Sequence, residues 1–345
     1  DKRTLLLFAL GVSILAYLLF GIIDSSLGFV TARLLQGLGI VGTGLLGLAL
    51  ISELAPVGKR AAVIGTYNRW RMAAGILGTL GAGALYQVAG FGAVFTALAI
   101  LLSLSMIAVT VYVNPDETSI EGFALTRLAL NRRLLTITSF RAPYAVSVTL
   151  VRNWIPIYVG VSVARGGLAA SAILIGLVVA AEKFTNMVLQ PRMGRLSDRY
   201  GRTMFIAIGG GLYGVVALII PAAPMMGSLV MPSWTVPFEF TMAPTVIVVL
   251  GLNGLLGVAD SIREPASMAT FADEGVGEGV ASSFGLRNLV WMPGSILAPI
   301  VGGILMDSIG MAWVFYLGGA AAIVGVVVFM GILMYTHGSR AFGQW

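Results

Sequence analysis

The chain contains no cysteine, which excludes disulfides and thiolate metal sites. It has one histidine, His337, in the C-terminal tail. No His, Asp or Glu cluster has the spacing of a metal site, no Gly-x-Ser-x-Gly elbow is present, and no Gly-rich loop ends in Gly-Lys-Ser/Thr. Neither a cofactor, nor an enzymatic activity, nor ATP-driven work is therefore expected. Charge is scarce too: 10% of residues, against 58% hydrophobic. Soluble domains are about 25% charged and about 45–50% apolar. A soluble core cannot absorb this much apolar sequence in 345 residues. The net charge of +6 then reads as membrane topology rather than as a nucleic-acid surface.

What is present is a series of apolar runs, each long enough to cross about 30 Å of hydrocarbon as a helix. Ten spans are expected, at 4–23, 27–51, 61–88, 91–113, 136–160, 169–190, 203–221, 243–262, 280–306 and 311–335. An even number places both ends on one side. The connections on that side hold 13 of the 21 Lys and Arg, Arg263 among them, and the opposite side holds only Arg165. The positive-inside rule makes the basic side cytoplasmic. The expectation is an all-α multi-pass protein of the plasma membrane with both ends of this chain in the cytoplasm.

Three segments follow: residues 1–113 with four spans, a basic connection at 114–135, and residues 136–345 with six. The connection, "NPDETSIEGFALTRLALNRRLL", fits either a helix lying on the anionic inner surface or a solvated linker. On the outer side, 222–242 contains Pro224, Pro232 and Pro237 with Trp234, Phe238 and Phe240. It is too broken for a span and reads as an interfacial loop with aromatic anchors.

An internal repeat relates the two halves. "AGILGTLGAG" at 74–83 and "GSILAPIVGG" at 294–303 align at an offset of 220 residues, with Gly78 on Ala298, Thr79 on Pro299 and Gly83 on Gly303. The same offset sets Asn68 on Asn288. Gly78, Gly83, Pro299, Gly302 and Gly303 are expected at close helix contacts, where small residues let backbones approach. Repeated halves around a basic linker mark a two-bundle transporter. The opening "KRTLLL" aligns with "GRTMFI" at 201–206. The first half thus begins where the second reaches its third span, and two further spans are expected upstream.

On these residues the chain resembles the major facilitator superfamily. "GRLSDRYGRT" at 194–203 matches the family's loop signature except at Thr203. "RLLQGLG" at 33–39 matches the fourth-span signature Arg-x-x-Gln-Gly-x-Gly, commonest in proton-coupled drug exporters. "GSILAPIVGG" matches the antiporter pattern Gly-x-x-x-Gly-Pro-x-x-Gly-Gly with Ala298 for one glycine, whereas the fifth-span copy, where exporters carry it, has Thr79 in place of proline. The resemblance implies two pseudo-symmetric six-helix bundles, of which ten spans are present here, working by alternating access. It implies proton-coupled export of small amphipathic compounds. The excess of cations inside spans (Arg33, Arg69, Arg71, Arg152, Lys183 and Arg287) over acids gives a small organic anion as the alternative cargo, and a non-transporting receptor or scaffold is the alternative class. Partners are then a small molecule, protons and lipid, without nucleic acid, and a monomer is expected.

The charged residues inside spans are the candidate site, because a charge at the bilayer centre costs about 2.5–3.5 kcal/mol on insertion scales. Arg33 and Gln36 share a helix face at i, i+3; Arg33 contacts substrate, assists a proton step, or bonds backbone carbonyls. Arg69 and Arg71 are two residues apart and point in nearly opposite directions. Asn68, Arg69, Arg287 and Asn288 form a polar collar at the pseudo-twofold axis or a gate on the basic side. Glu182, read as the only acid well inside a span, suits a proton carrier, or else neutralises Arg152; Lys183 sits beside it. Arg141 is expected to snorkel to the interface, and Asp24, Asp260 and Asp307 to be solvated at span ends. Gly194, Asp198, Arg199, Gly201 and Arg202 form a tight cytoplasmic turn that latches one conformation, as the resemblance implies, or only anchors topology.

Overall fold

The computed structural model describes residues 2–54, 60–114, 132–230, 234–236, 240–274 and 280–338. The chain divides into two compact units, Asp1–Phe123 and Ala124–Trp345. All ten expected spans appear as helix, with shifted boundaries. Among the described residues, seven helical stretches are long and apolar enough to cross a bilayer, including the 43-residue stretch Trp70–Tyr112.

The first unit holds α1 (Lys2–Phe20), α2 (Ser26–Leu54) and α3 (Arg60–Tyr112). The expected spans 61–88 and 91–113 run on as one helical stretch, interrupted only at Gly90, whose φ of 76° and ψ of −174° are not helical. Glycine is suited to that joint because φ is positive. Helix α1 packs against α2 and α3. The α1–α2 seam rests on two glycines: a Cβ would come within 2.1 Å of Ser13 Oγ at Gly39, and within 2.8 Å of the Ala9 Cβ at Gly42.

The second unit holds α4 (Arg132–Gly160), α5 (Ala172–Tyr200), α6 (Arg202–Ile219), α7 (Ala223–Val230), α8 (Pro244–Glu274), α9 (Val280–Ser308) and α10 (Met311–His337). Helix α8 contacts α4, α5, α6, α7 and α9, and α10 contacts α4, α6 and α9. The core between them is built on Phe140, Tyr144, Tyr213, Phe315 and Phe329, all fully buried. Two of its glycines allow backbone approach: a Cβ would stand 2.6 Å from the Ala259 carbonyl oxygen at Gly209 and 2.7 Å from the Gly214 oxygen at Gly319.

The antiporter-type stretch of α9 forms a seam against α4. A Cβ on Gly294 would meet Ala145 at 2.8 Å, one on Gly302 would meet the Trp154 ring at 2.6 Å, and Ala298 between them is fully buried. These residues recur every four positions, so one helix face carries the contact. Gly78 and Gly303 have nothing within 4 Å, which corrects their expected place at close contacts. The cause is the helical period, which turns Gly303 away from the face that Gly302 presents. Pro299 lies inside the helix, as does Pro293.

Three expectations change. Segment 222–242 is not wholly loop: it contains α7 and a hairpin of β1 (Trp234–Val236) with β2 (Phe240–Met242). Helix α8 extends twelve residues beyond the expected end at 262, through Pro265. Helix α5 continues to Tyr200 through Pro191. The connection at 114–135, expected as a surface helix or a solvated linker, lies outside the described residues, apart from 114 and the start of α4.

Candidate functional site

Helix α4 presents Arg152 to both α5 and α8. Its Nε donates to Glu182 Oε1 of α5 at 2.6 Å. Its Nη2 donates to Asp260 Oδ2 of α8. One guanidinium therefore bridges two carboxylates from two different helices. Both acids are buried, with side chains 7% and 3% exposed, whereas the Arg152 side chain is 42% exposed. The Arg152–Glu182 ion pair that the sequence offered as one alternative is present, but Glu182 is not the only acid inside a span.

Asp260 anchors the arrangement. Its Oδ1 accepts from the Tyr144 hydroxyl at 2.9 Å and from Arg263 Nε and Nη2 at 3.2 and 2.9 Å. The Arg263 guanidinium carbon lies over the Tyr144 ring, 4.3 Å from its centroid, and Arg263 also pairs with Glu264. Glu264 Oε1 in turn accepts from Arg287 Nη2 of α9 at 2.5 Å. The backbone carbonyl of Arg287 accepts from Arg141 Nε of α4 at 2.6 Å. A continuous chain of charge thus joins Glu182, Arg152, Asp260, Arg263, Glu264 and Arg287 across four helices.

This network corrects several sequence expectations. Asp260 is not a solvated end residue but is 2% exposed, and Arg263 is not in a connection but equally buried. Arg141 does not snorkel: it is 4% exposed and caps the Trp291 ring at 4.7 Å. Sequence reading missed Tyr144, Asp260, Arg263 and Glu264. The signal lay in "DSIREP" at 260–265, where three charges at i, i+3 and i+4 share one helix face. The expected span stopped at 262, although the helix continues through Pro265.

Lys183 is exposed beside Glu182. Close packing sets the height of Glu182: Thr185 Oγ1 donates to the Gly254 carbonyl at 2.8 Å, and Asn253 Nδ2 donates to the Val178 carbonyl at 2.6 Å. These bonds hold α5 against α8. Of the expected collar, Arg287 is committed to Glu264, and Asn288 is exposed. The Asn68 and Arg69 side chains lie outside the described residues.

In the first unit, Arg33 Nη1 donates to Gln36 Oε1 at 2.8 Å. Its Cζ lies 5.4 Å from the Phe20 ring centroid and 5.3 Å from that of Phe29. Phe95 stacks on Phe20 at 5.0 Å, and Phe91 meets Phe95 edge-on at 4.6 Å. The residues of the fourth-span signature thus bind each other, and the guanidinium is held over ring faces by cation–π attraction.

The loop signature is mostly helix. Residues up to Tyr200 belong to α5, and α6 begins at Arg202. Only Gly201 breaks the helix, with φ of 100°. Gly194 does not shape a turn; it lies within α5, where a Cβ would sit 3.4 Å from the Pro265 Cβ of α8. Asp198 Oδ1 accepts from Arg202 Nε and Nη2 at 3.2 and 3.1 Å across the joint. Arg199 lies over the Tyr200 ring at 5.4 Å.

A family model described as Major Facilitator Superfamily matches residues 1–234 and again 144–341. The "Multidrug resistance protein MdtG" of Salmonella choleraesuis (strain SC-B67) is 23% identical over 339 residues, which is 96% of this chain and 76% of that protein. The "Multidrug transporter protein MdtP" of Bacillus subtilis (strain 168) is 24% identical over 183 residues, 53% of this chain and 29% of that protein. Among solved structures, the E. coli fucose:proton symporter FucP is similar with a TM-score of 0.54 and 13% identity, covering 96% of this chain and 84% of that one. At that identity the likeness concerns the fold.

Proposed function

The chain belongs to the major facilitator superfamily of membrane transporters, and we propose that it exports small amphipathic compounds in exchange for protons. One observation carries the proposal: Arg152 is held between the buried carboxylates of Glu182 and Asp260 on separate helices. Ionisable groups inside a membrane bundle are costly and mark ion or substrate pathways. A cation shared by two acids from two helices links a proton to the packing of those helices. Protonating one acid shifts the guanidinium towards the other, so proton uptake biases which helices are tied. Alternating access of the two bundles would use that bias.

Export of amphipathic cargo is supported by the similarity to MdtG and MdtP, both named as multidrug proteins. The organic-anion alternative rested on an excess of cations over a single acid. With Asp260 and Glu264 inside α8, three acids face Arg141, Arg152, Lys183, Arg263 and Arg287 in the second unit, and much of that excess is neutralised locally. Arg33 and Gln36 remain candidate cargo contacts. The orientation proposed is the basic side towards the cytoplasm.

The test is flux in proteoliposomes. A lipophilic fluorescent amine should move against its own gradient when a proton gradient is imposed, while a dye in the lumen reports counterflow of protons. Movement that is unchanged after a protonophore collapses the gradient would overturn the proton-coupled reading. An alkyl carboxylate that moves in place of the amine would replace the cargo.

A further inference from the structure

The three acids of the network are not equivalent. Asp260 accepts four hydrogen bonds, from Tyr144, Arg152 and twice from Arg263. Glu264 is tied to two guanidiniums, those of Arg263 and Arg287. Among the described residues Glu182 accepts one side-chain bond, from Arg152 Nε at 2.6 Å. Of the three arginines paired to these acids, Arg152 has the most exposed side chain, at 42% against 2% for Arg263 and 13% for Arg287. The network is rigid at the Asp260–Arg263–Glu264 end and open at the Glu182–Arg152 end.

We infer that Glu182 and Asp260 divide the work: Glu182 binds and releases the proton, and Asp260 is the fixed counter-charge that keeps Arg152 neutralised whichever state Glu182 is in. This assignment rests on the proton-coupled reading and names its groups. The balance is simple. A proton adds to a carboxylate oxygen of Glu182, the acid goes from charged to neutral, and no other bond is made or broken except the Arg152 Nε contact. Arg152 keeps its partner through Asp260 Oδ2. Protonating Asp260 instead would disturb four hydrogen bonds and loosen Arg263 as well. Leaving a charge inside the bundle without a partner is the costly event, and protonating Glu182 avoids it because Arg152 keeps Asp260.

The groups around Glu182 support this. The charged and titratable groups that act on Glu182 are Arg152 of α4, Tyr213 of α6, Asp260 of α8 and its own neighbour Lys183. The hydroxyl of Tyr213 is buried and makes no hydrogen bond among the described residues. The mechanical outcome is specific. Proton binding frees α5 from α4 at Arg152, while α4 stays tied to α8 through Tyr144 and Arg152, and α5 stays on α8 through Thr185 and Asn253. The joint that changes is the α4–α5 contact alone.

Two measurements test the assignment. Infrared difference spectra of the protein in lipid nanodiscs, recorded across a pH step, should show a protonated carboxyl band that Glu182→Gln abolishes. In proteoliposomes, Glu182→Gln should lower gradient-driven flux about tenfold or more, within the usual range of coupling between sites. Asp260→Asn should lower it comparably, because Arg152 then has no second acid. Adding Arg152→Gln to Asp260→Asn removes the uncompensated cation and should restore at least part of the flux, which a purely structural Asp260 would not allow. A carboxyl band that persists in Glu182→Gln overturns the assignment, as does a folded double variant as inactive as Asp260→Asn. Should either Asp260 variant fail to fold, the band in native protein and in Glu182→Gln decides alone. Flux indifferent to protons with a Glu182 band intact would end the coupling proposal instead, so the two failures are distinct.

Discussion

A Cβ on Gly257 would stand 2.1 Å from the carbonyl oxygen of Glu182. Helices α5 and α8 therefore meet backbone to backbone at the level of the proposed proton site. Asp260 follows three residues later on α8, nearly one helical turn away. The spacing between the two carboxylates that share Arg152 is thus set by a contact only glycine allows.

Gly257→Val should force α5 and α8 apart. Overpacking of this kind costs about 1–3 kcal/mol, and it should appear as a lowered melting temperature in detergent together with reduced flux. Gly254→Ala is the control: its nearest neighbour is Thr185 Cγ2 at 3.7 Å, an ordinary contact, so its melt should stay close to native. A native-like melt for Gly257→Val would mean the seam yields more easily than its geometry indicates.

Arg287 and Glu264 should prove energetically coupled. Arg287→Gln leaves Glu264 with Arg263 alone, and Glu264→Gln leaves Arg287 over a neutral acceptor. Each single change should cost more than its share of the double change, with a coupling of about 0.5–3 kcal/mol. Melting temperatures of the four proteins close the cycle. Strict additivity would show that the 2.5 Å contact contributes nothing.

Arg33→Lys keeps the charge and loses the planar fork that spans Gln36 and two rings. Cation–π contacts at exposed sites are worth about 0.5–1 kcal/mol. The expected result is faster hydrogen exchange at 21–30, where Phe20 and Phe29 flank the α1–α2 turn, with little change in the second unit. Exchange equal to native would leave Arg33 free for a role in cargo contact only.

Asp198→Asn should leave the melt unchanged, because the Asp198 side chain is 61% exposed and surface pairs contribute about 0–1 kcal/mol. Its effect should fall on transport rate if the contact with Arg202 is made and broken during the cycle. Unaltered rates would reduce the stretch to an anchor of topology.

The sequence revealed the helices and the family because both are written in long-range patterns: apolar runs, a 220-residue offset and three glycine-rich motifs. It concealed the core of the site for a local reason. Pro265 and the charges before it look like the end of a span, since proline normally stops a helix. Arg263 within α8 and the surrounding helices, which pair Asp260 with Arg152 and Glu264 with Arg287, make that stretch tolerable inside the bundle. Arg141 was misread for a related cause. Its distance from the span end permits snorkelling, but the Trp291 ring and the Arg287 carbonyl offer it a nearer home.

Gly90 and Gly201 each join two long helices through a single non-helical residue, with φ of 76° and 100°. A joint of one residue has no slack. It lets the two rods swivel about a point but prevents either from sliding lengthwise past the other. Helices linked in this way behave as hinged levers, so a small change in tilt at one end of α5 is carried into α6 as rotation. At these two joints, relative motion of the helices is therefore confined to pivoting.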